Sequence, residues 1–312
     1  MLKLAAIVGP TAVGKSHIAI QIAQMMGTEI ISCDSMQVYR GMDIGTAKVT
    51  GKEQKLVKHH LIDIVDVDSE YNVAEYQKAA QELIRDINQR NKIPLLVGGT
   101  GLYYQSVVDN YQLFPQESTA AVRKKYMEES DLKGIDFLYE KLQHIDPVYA
   151  EKISPNDRKR IVRALEVFEL TGKPFSHFQV KKENTYQLAA AGLYLERKIL
   201  YQRIENRVEE MLGNGFIEEV EKLLDSGYNL NHKPMQALGY KQVSSYLQGF
   251  ITREQMADDI KRETRRFAKR QFTWFNRDPR INWFDVSKFS DSEELAAKIS
   301  EFLEGQLQGM SK

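Results

Sequence analysis

Eight residues near the start of the chain, Gly9-Pro10-Thr11-Ala12-Val13-Gly14-Lys15-Ser16, fit the spacing G-x-x-x-x-G-K-[ST] of a phosphate-cradling loop. Its glycines let backbone N–H groups turn inward around an anion, and a helix start behind it adds partial positive charge. Lys15 is placed to hold an outer phosphate, and Ser16 to offer a hydroxyl to Mg²⁺. The loop recognises a polyphosphate without naming its carrier, because a bare diphosphate satisfies the same groups as ATP. Asp34 follows the next apolar stretch. A carboxylate there can hold Mg²⁺ through water or act as a general base, although an Asp-Ser pair also commonly makes a turn. Gly98 and Gly99 allow close backbone approach beside the Thr100 hydroxyl, and a plain strand-to-helix turn would use the same residues. Arg203 and Arg207, four apart on one helix face, can close over a diphosphate or pair with Glu196, Glu205, Glu209 or Glu210.

Two basic clusters stand out. One holds Lys152, Arg158, Lys159, Arg160 and Arg163. The other runs over residues 261–280, with Lys261, Arg262, Arg265, Arg266, Lys269, Arg270, Arg277 and Arg280 against only Glu263 and Asp278, and with Phe267, Phe272, Trp274 and Phe275 interleaved. Such stripes suit a nucleic-acid backbone and unstacked bases, and a solvated face over core aromatics produces the same pattern. The clusters matter because the 312-residue chain balances 43 basic against 43 acidic residues, so nucleic-acid affinity must come from local charge. One cysteine, Cys33, allows no internal disulfide and no cysteine-based zinc site, and the six histidines form no ligand pattern. Met1-Leu2-Lys3 leads directly into an apolar strand, and no apolar run approaches the ~18 residues of a membrane helix, so a cytoplasmic protein is expected.

The elements that must position these residues alternate. Strands are expected at 4–8, 28–32, 60–64 and 93–97, with a helix through Ile18, Ile20, Ile22 and Ala23 and another over 73–90. That alternation predicts an α/β fold: a P-loop-type parallel sheet flanked by helices on both faces. Ligands of such sheets sit beyond the carboxyl ends of the strands, where the P-loop, Asp34 and Thr100 all fall. Residues 116–183 break the pattern with helices at 122–130, 135–143 and 156–171 and no strand, an all-helical insert. A strand at 188–195 then returns to the sheet. Helices follow at 197–212, 216–226, 236–247 and 252–275, then a short strand at 281–286 and a helix at 291–307. The organisation is therefore a core (1–115), an insert (116–183) and a second core part with basic helices (184–312).

These pieces together resemble the tRNA dimethylallyltransferases, also called tRNA isopentenyltransferases. The likeness rests on the P-loop, on Asp34-Ser35-Met36-Gln37-Val38-Tyr39 and Gly41-Met42-Asp43-Ile44-Gly45-Thr46-Ala47-Lys48 in register behind it, and on Leu95-Leu96-Val97-Gly98-Gly99-Thr100. It continues through Asn156-Asp157, Arg163-Ala164-Leu165-Glu166-Val167 and Gly239-Tyr240, so it covers almost the whole chain in order. The chain is most similar to the compact bacterial form, which lacks the zinc finger of many eukaryotic members.

The resemblance implies transfer of a dimethylallyl group from dimethylallyl diphosphate to the exocyclic amine of the tRNA adenosine immediately 3′ of the anticodon. It implies Asp34, Lys15 and Thr11 as catalytic residues, with Asp34 taking the amine proton. Gly9 to Ser16 (Gly9, Pro10, Thr11, Ala12, Val13, Gly14, Lys15, Ser16), with Arg203 and Arg207, would hold the diphosphate, and Ser16 the Mg²⁺. Asp34, Ser35, Met36, Gln37, Thr100, Arg123, Arg158, Lys159 and Arg160 would contact tRNA, the insert clamping the anticodon stem-loop of a monomeric enzyme. Two other readings share the P-loop. One is a small-molecule transferase such as an adenylate isopentenyltransferase or a nucleotide kinase. The other is an ATPase or RNA-binding module, whose acidic Mg²⁺ ligand would have to come from residues 61–64.

Overall fold

Strand β1 (Leu2–Val8) is apolar along most of its length because both of its faces are covered. The computed structural model describes residues 1–113, 120–179 and 185–309. Beside β1 run β2 (Ile30–Cys33), β3 (His59–His60), β4 (Leu95–Gly98), β5 (Tyr186–Tyr194) and β6 (Ile281–Asp285), all parallel, in the order β3-β2-β4-β1-β5-β6. The fold is thus an α/β parallel sheet flanked by helices.

Contacts divide the chain into two units, Met1–Val108 with Asn184–Lys312, and Asp109–Glu183. The limits expected at 115/116 and 183/184 lie outside the described residues. The first part of the larger unit carries α1 (Lys15–Met25), α2 (Gly51–Leu56), α3 (Val73–Gln89) and α4 (Gly101–Val108). The smaller unit is helical throughout its described residues: α5 (Ala120–Lys133), α6 (Ile135–Ile145), α7 (Pro147–Ala150) and α8 (Arg158–Thr171), closed on Tyr126, Leu138, Leu142, Ile161 and Leu165. The larger unit resumes with α9 (Arg197–Gly213), α10 (Phe216–Asp225), α11 (Tyr240–Leu247), α12 (Arg253–Phe275) and α13 (Ser292–Gly309).

The pleat of β1 sorts these helices. Ala5 and Ile7 join Ile18, Ala19 and Ile22 of α1 and Leu295, Ile299 and Leu303 of α13. Leu4, Ala6 and Val8 face Tyr76, Ala80 and Ile84 of α3 and Tyr104 and Val107 of α4. A third cluster lies beyond the sheet, where Val38, Tyr39 and Met42 pack against Val208, Phe216, Val220, Tyr240 and Ile260 of α9 to α12.

Several elements differ from expectation. The strand expected at 60–64 stops at His60, because Leu61 and Asp63 hold left-handed backbones, φ 61° and 55°, that no strand can contain. Leu61 is thereby turned into the second core cluster and Asp63 toward Lys48. The helix expected at 236–247 is a 3₁₀ turn at Lys233–Gln236 followed by α11, since Gly239 at φ 92° interrupts it. Three short helices lie outside the expected elements: α2, started by a capping box between Thr50 and Glu53, α4, directly behind the glycines, and α7, capped by Asp146.

Glu29, just ahead of β2, ties the edge of the sheet together. Its buried carboxylate accepts hydrogen bonds from both Arg90 guanidinium nitrogens and meets His60 Nε2 at 2.8 Å. The Arg90 bonds hold its pKa down to about 2 from an ordinary 4.5, against the opposing effect of burial. A depressed carboxylate stabilises the fold above the unfolded pKa, and that contribution is lost as pH falls from about 4.5 toward 2. Since the partly exposed Arg90 partner is screened by solvent, Glu29→Gln should lose about 1–2 kcal/mol at neutral pH. Its stability should change less than the parent's across that acid window, as measured by urea unfolding at a series of pH values.

Candidate active site

The loop 9–16 leaves β1 at its carboxyl end and enters α1. Gly9 has no substitute there: its φ is 146°, and a Cβ would stand 2.5 Å from the Leu193 carbonyl oxygen on β5. Lys15 curls back so that Nζ donates to the Pro10 carbonyl at 2.7 Å. From α9, Arg203 Nη1 donates to the Val13 carbonyl at 3.4 Å, and Arg207 lines the same crevice one turn on. The crevice, about 1230 Å³, is also lined by Thr11, Ala12, Gly14, Ser16, Asp34, Ser35, Met36, Gln37 and Thr100.

Among the described residues Lys15, Arg203 and Arg207 make no ion pair. Of the carboxylates that could neutralise the α9 arginines, Glu205 is engaged with Arg265 at 2.7 Å and Glu209 with Lys261 at 2.5 Å, while Glu210 lines the crevice. Burial, and then the neighbouring Arg207, pull the Lys15 pKa down to about 7, with Asp34 and Cys33 opposing. Burial likewise pulls Arg207 below the ordinary arginine value, against Asp34 and Glu210. Two desolvated cations without an ion pair, Lys15 and Arg207, make a site for a multivalent anion.

Asp34 ends β2. Its Oδ1 accepts the N–H groups of Met36 at 2.8 Å and Gln37 at 3.3 Å, the turn that an Asp-Ser pair favours. No such bond occupies Oδ2 among the described residues. Thr100 Oγ1 accepts the Ser35 N–H at 3.0 Å, which binds the 98–100 turn to the Asp34 turn. Gln37 is held on both sides, accepting from Ser32 Oγ at 3.1 Å and donating to the carbonyls of Thr46 and Ala47 at 3.3 and 3.4 Å. Cys33, adjacent to Asp34, is no nucleophile: burial pushes its thiol up to about 12.

Three residues shape the crevice through contacts that no motif marks. Lys48 Nζ, almost fully buried, meets Asp43 at 2.5 Å, Asp63 at 2.6 Å and the Tyr39 carbonyl at 2.8 Å. Asp63 is thereby engaged as a structural partner. Glu219 accepts the N–H groups of Asp43, Ile44 and Gly45 at 3.0, 2.6 and 3.2 Å, and the Tyr240 hydroxyl at 2.6 Å. Lys48 lay in a block of residues whose spacing matched a pattern, but nothing marked it as buried. Gln271 bonds both Thr11 and Gly99 from α12.

The basic clusters divide. On α12, Lys261, Arg262, Arg265 and Arg266 pair with Glu209, Asp259, Glu205 and Glu263, and Phe275 is core. Lys269 and Arg270 are exposed, and Phe267 and Arg270 line the crevice. Within the helical unit, Arg123 and Arg163 both bond the fully buried Glu166, at 3.2 and 2.9 Å. Arg158 meets Asp131 at 2.7 Å and Arg160 meets Asp157 at 3.3 Å, while Lys159 is exposed.

The donors near the loop suit a hard divalent cation. Ser16 presents an exposed hydroxyl in the first turn of α1, and Asp34 offers a carboxylate oxygen to the same crevice. Among the described residues no cluster of three or more His, Cys, Asp or Glu forms an all-protein cage. One or two oxygen ligands completed by phosphate and water is the manner in which Mg²⁺ binds.

The sequence model of the family described as "IPP transferase" matches residues 37–278. A tRNA dimethylallyltransferase of Syntrophomonas wolfei is 59% identical over 306 residues, covering 98% of this chain and 99% of that one. A relative of the same name from Caldanaerobacter subterraneus is 47% identical over 98% of this chain and 99% of its own. Among solved structures, the full-length tRNA isopentenylpyrophosphate transferase of Bacillus halodurans superposes with a TM-score of 0.76 at 42% identity, covering 100% of this chain and 98% of that one. A eukaryotic dimethylallyltransferase acting on tRNA gives 0.81 at 28% identity, covering 100% and 81%.

A lysine poised near pH 7 makes anion binding a proton-linked event. An anion in the crevice raises the Lys15 pKa again, so binding above pH 7 takes up a proton. Titration of inorganic diphosphate at about pH 8, by calorimetry in buffers of different ionisation enthalpy, should show uptake approaching one proton per site. Lys15→Met should abolish that uptake and weaken binding. Equal proton uptake in the two proteins would remove Lys15 from the anion site.

Proposed function

We infer the reaction from one premise: the chain belongs to the tRNA dimethylallyltransferase family. It transfers a dimethylallyl group from dimethylallyl diphosphate to the exocyclic amine of the adenosine immediately 3′ of the anticodon in tRNA, and releases diphosphate. The observation that carries this reading is the crevice itself, where three unpaired cations stand on the same wall system as a carboxylate oxygen that the turn at Asp34 leaves unused.

The chemistry follows from that pairing. The C–O bond of the allylic diphosphate breaks, and its electron pair leaves with the diphosphate. Lys15, Arg203, Arg207 and the loop amides of residues 12–16 stabilise the growing negative charge. Mg²⁺, held by Ser16 and the phosphate oxygens, would supply further charge neutralisation at the leaving group. The adenine amine is a weak nucleophile because its lone pair is delocalised into the ring. Asp34 accepts its proton as the C–N bond forms. Thr11, in the loop, is placed to touch the donor. Ser35, Met36, Gln37 and Thr100 frame the base, which must leave the anticodon-loop stack to enter the crevice. In the helical unit Lys159, Arg158, Arg160 and Arg123 contribute phosphate contacts to the tRNA. The enzyme acts as a monomer in this reading.

Incubation with labelled dimethylallyl diphosphate, Mg²⁺ and unmodified tRNA, followed by nucleoside analysis, tests the reaction directly. Prenylated AMP without prenylated tRNA would redirect the acceptor to a free nucleotide. The role of Asp34 has its own test. Asp34→Asn keeps an acceptor oxygen for the turn but cannot take the proton, so single-turnover transfer should fall by about 10²–10⁴-fold with both substrates still bound. Recovery of near-parental rates at high Mg²⁺ would instead make Asp34 a metal-positioning residue.

A further inference from the structure

The ladder between β1 and β4 ends at the pair Val8 and Gly98, and beyond it the phosphate loop and the 98–100 turn diverge. Gln271 bridges them from α12. Its buried amide uses both polar atoms: Oε1 accepts the Thr11 N–H at 2.8 Å, and Nε2 donates to the Gly99 carbonyl at 2.9 Å. That orientation is forced, since the N–H can only donate and the carbonyl only accept. Gly99 leaves the room for it, because a Cβ there would stand 2.2 Å from Nε2. From Gly99 the connection continues through Thr100 Oγ1 to the Ser35 N–H, and so to the turn that aims Asp34.

We propose that Gln271 is a positioning residue: it sets the separation between the loop that holds the diphosphate and the carboxylate that takes the amine proton. The proposal rests on the reading of Asp34 as proton acceptor. The group to be transferred is held at one end of this relay and the accepting amine at the other, so an error in the relay appears as a misplaced reaction distance. Each loop keeps its own backbone bonds when the bridge is lost, such as Thr100 N–H to the Cys33 carbonyl at 3.1 Å. Loss of the bridge should therefore slow transfer more than it weakens binding. No isosteric residue replaces it. Glutamate keeps the acceptor for Thr11 and loses the donor to Gly99, and methionine loses both.

The test uses Gln271→Met and Gln271→Glu in the full chain, with single-turnover transfer at saturating dimethylallyl diphosphate, Mg²⁺ and unmodified tRNA, and with separate equilibrium binding of each substrate. A displacement of about 1 Å can cost about 10²-fold, so the rate should fall by about 10–100-fold while both dissociation constants stay within about threefold. In an Asp34→Asn background the added cost of Gln271→Met should shrink to less than about threefold. Unchanged rates, or a loss accounted for by weaker binding, would overturn the proposal. So would an undiminished Gln271 effect in the Asp34→Asn background, and so would loss of folding in both variants, which would make the bridge a stability element only. Failure of the Asp34 reading shows separately, as parental transfer by Asp34→Asn alone.

Discussion

Positive charge without an ion-pair partner is the constraint around which the larger unit is arranged. Arg207 is held close enough to Lys15 to depress it, in surroundings dry enough to penalise both, and Glu205 and Glu209 of α9 are drawn away toward α12. Such a site is poor at being empty. In the proposed reaction a diphosphate would relieve the repulsion and restore the lysine to its ordinary protonation, so part of the binding free energy would come from removing a cost already present in the fold. That reading separates two demands: the donor would be held by charge, while the weak adenine nucleophile would need a carboxylate placed to receive a proton, and Asp34 lines the same crevice as those cations.

The rest of the larger unit keeps that separation. Glu219 gathers three successive amides and a tyrosine hydroxyl, and Lys48 gathers two carboxylates and a carbonyl, so the segment 42–48 is anchored from both ends. Charge-assisted hydrogen bonds of this kind are worth about 1.5–3 kcal/mol each when desolvated. They hold an irregular wall that has no ladder of its own. Gln37 extends the anchoring to the Asp34 turn through the carbonyls of Thr46 and Ala47.

Much of this was legible in the sequence because it is local. A run buried on both faces, followed by the P-loop spacing, can be read from residues 4–16 alone, and the alternation after it placed Asp34 and Thr100 at strand ends where the structure has them. What escaped depends on partners far along the chain. Gln271 sits amid arginines and aromatics with nothing to mark it, since its partners are 260 and 172 residues away. Glu219 reads as one more surface acid on α10. The short β3 escaped for a different reason: it is stopped first by Leu61, whose type does not announce a left-handed backbone. Charge counting over 261–280 overstated the available positive charge, because its neutralising acids come largely from α9 and from the preceding turns of α12 itself.

Glu166 carries a consequence for how salt would read out on this protein. The carboxylate is wholly buried and shared by Arg123 and Arg163, so neither guanidinium can turn fully outward without stranding a charge in the interior. In the proposed complex an RNA phosphate approaching Arg123 would meet a group already shared with Glu166, be neutralised less fully, and release fewer of the cations condensed on the RNA. The number released would therefore be governed by exposed, unshared cations such as Lys159, and the total of arginines there overestimates it.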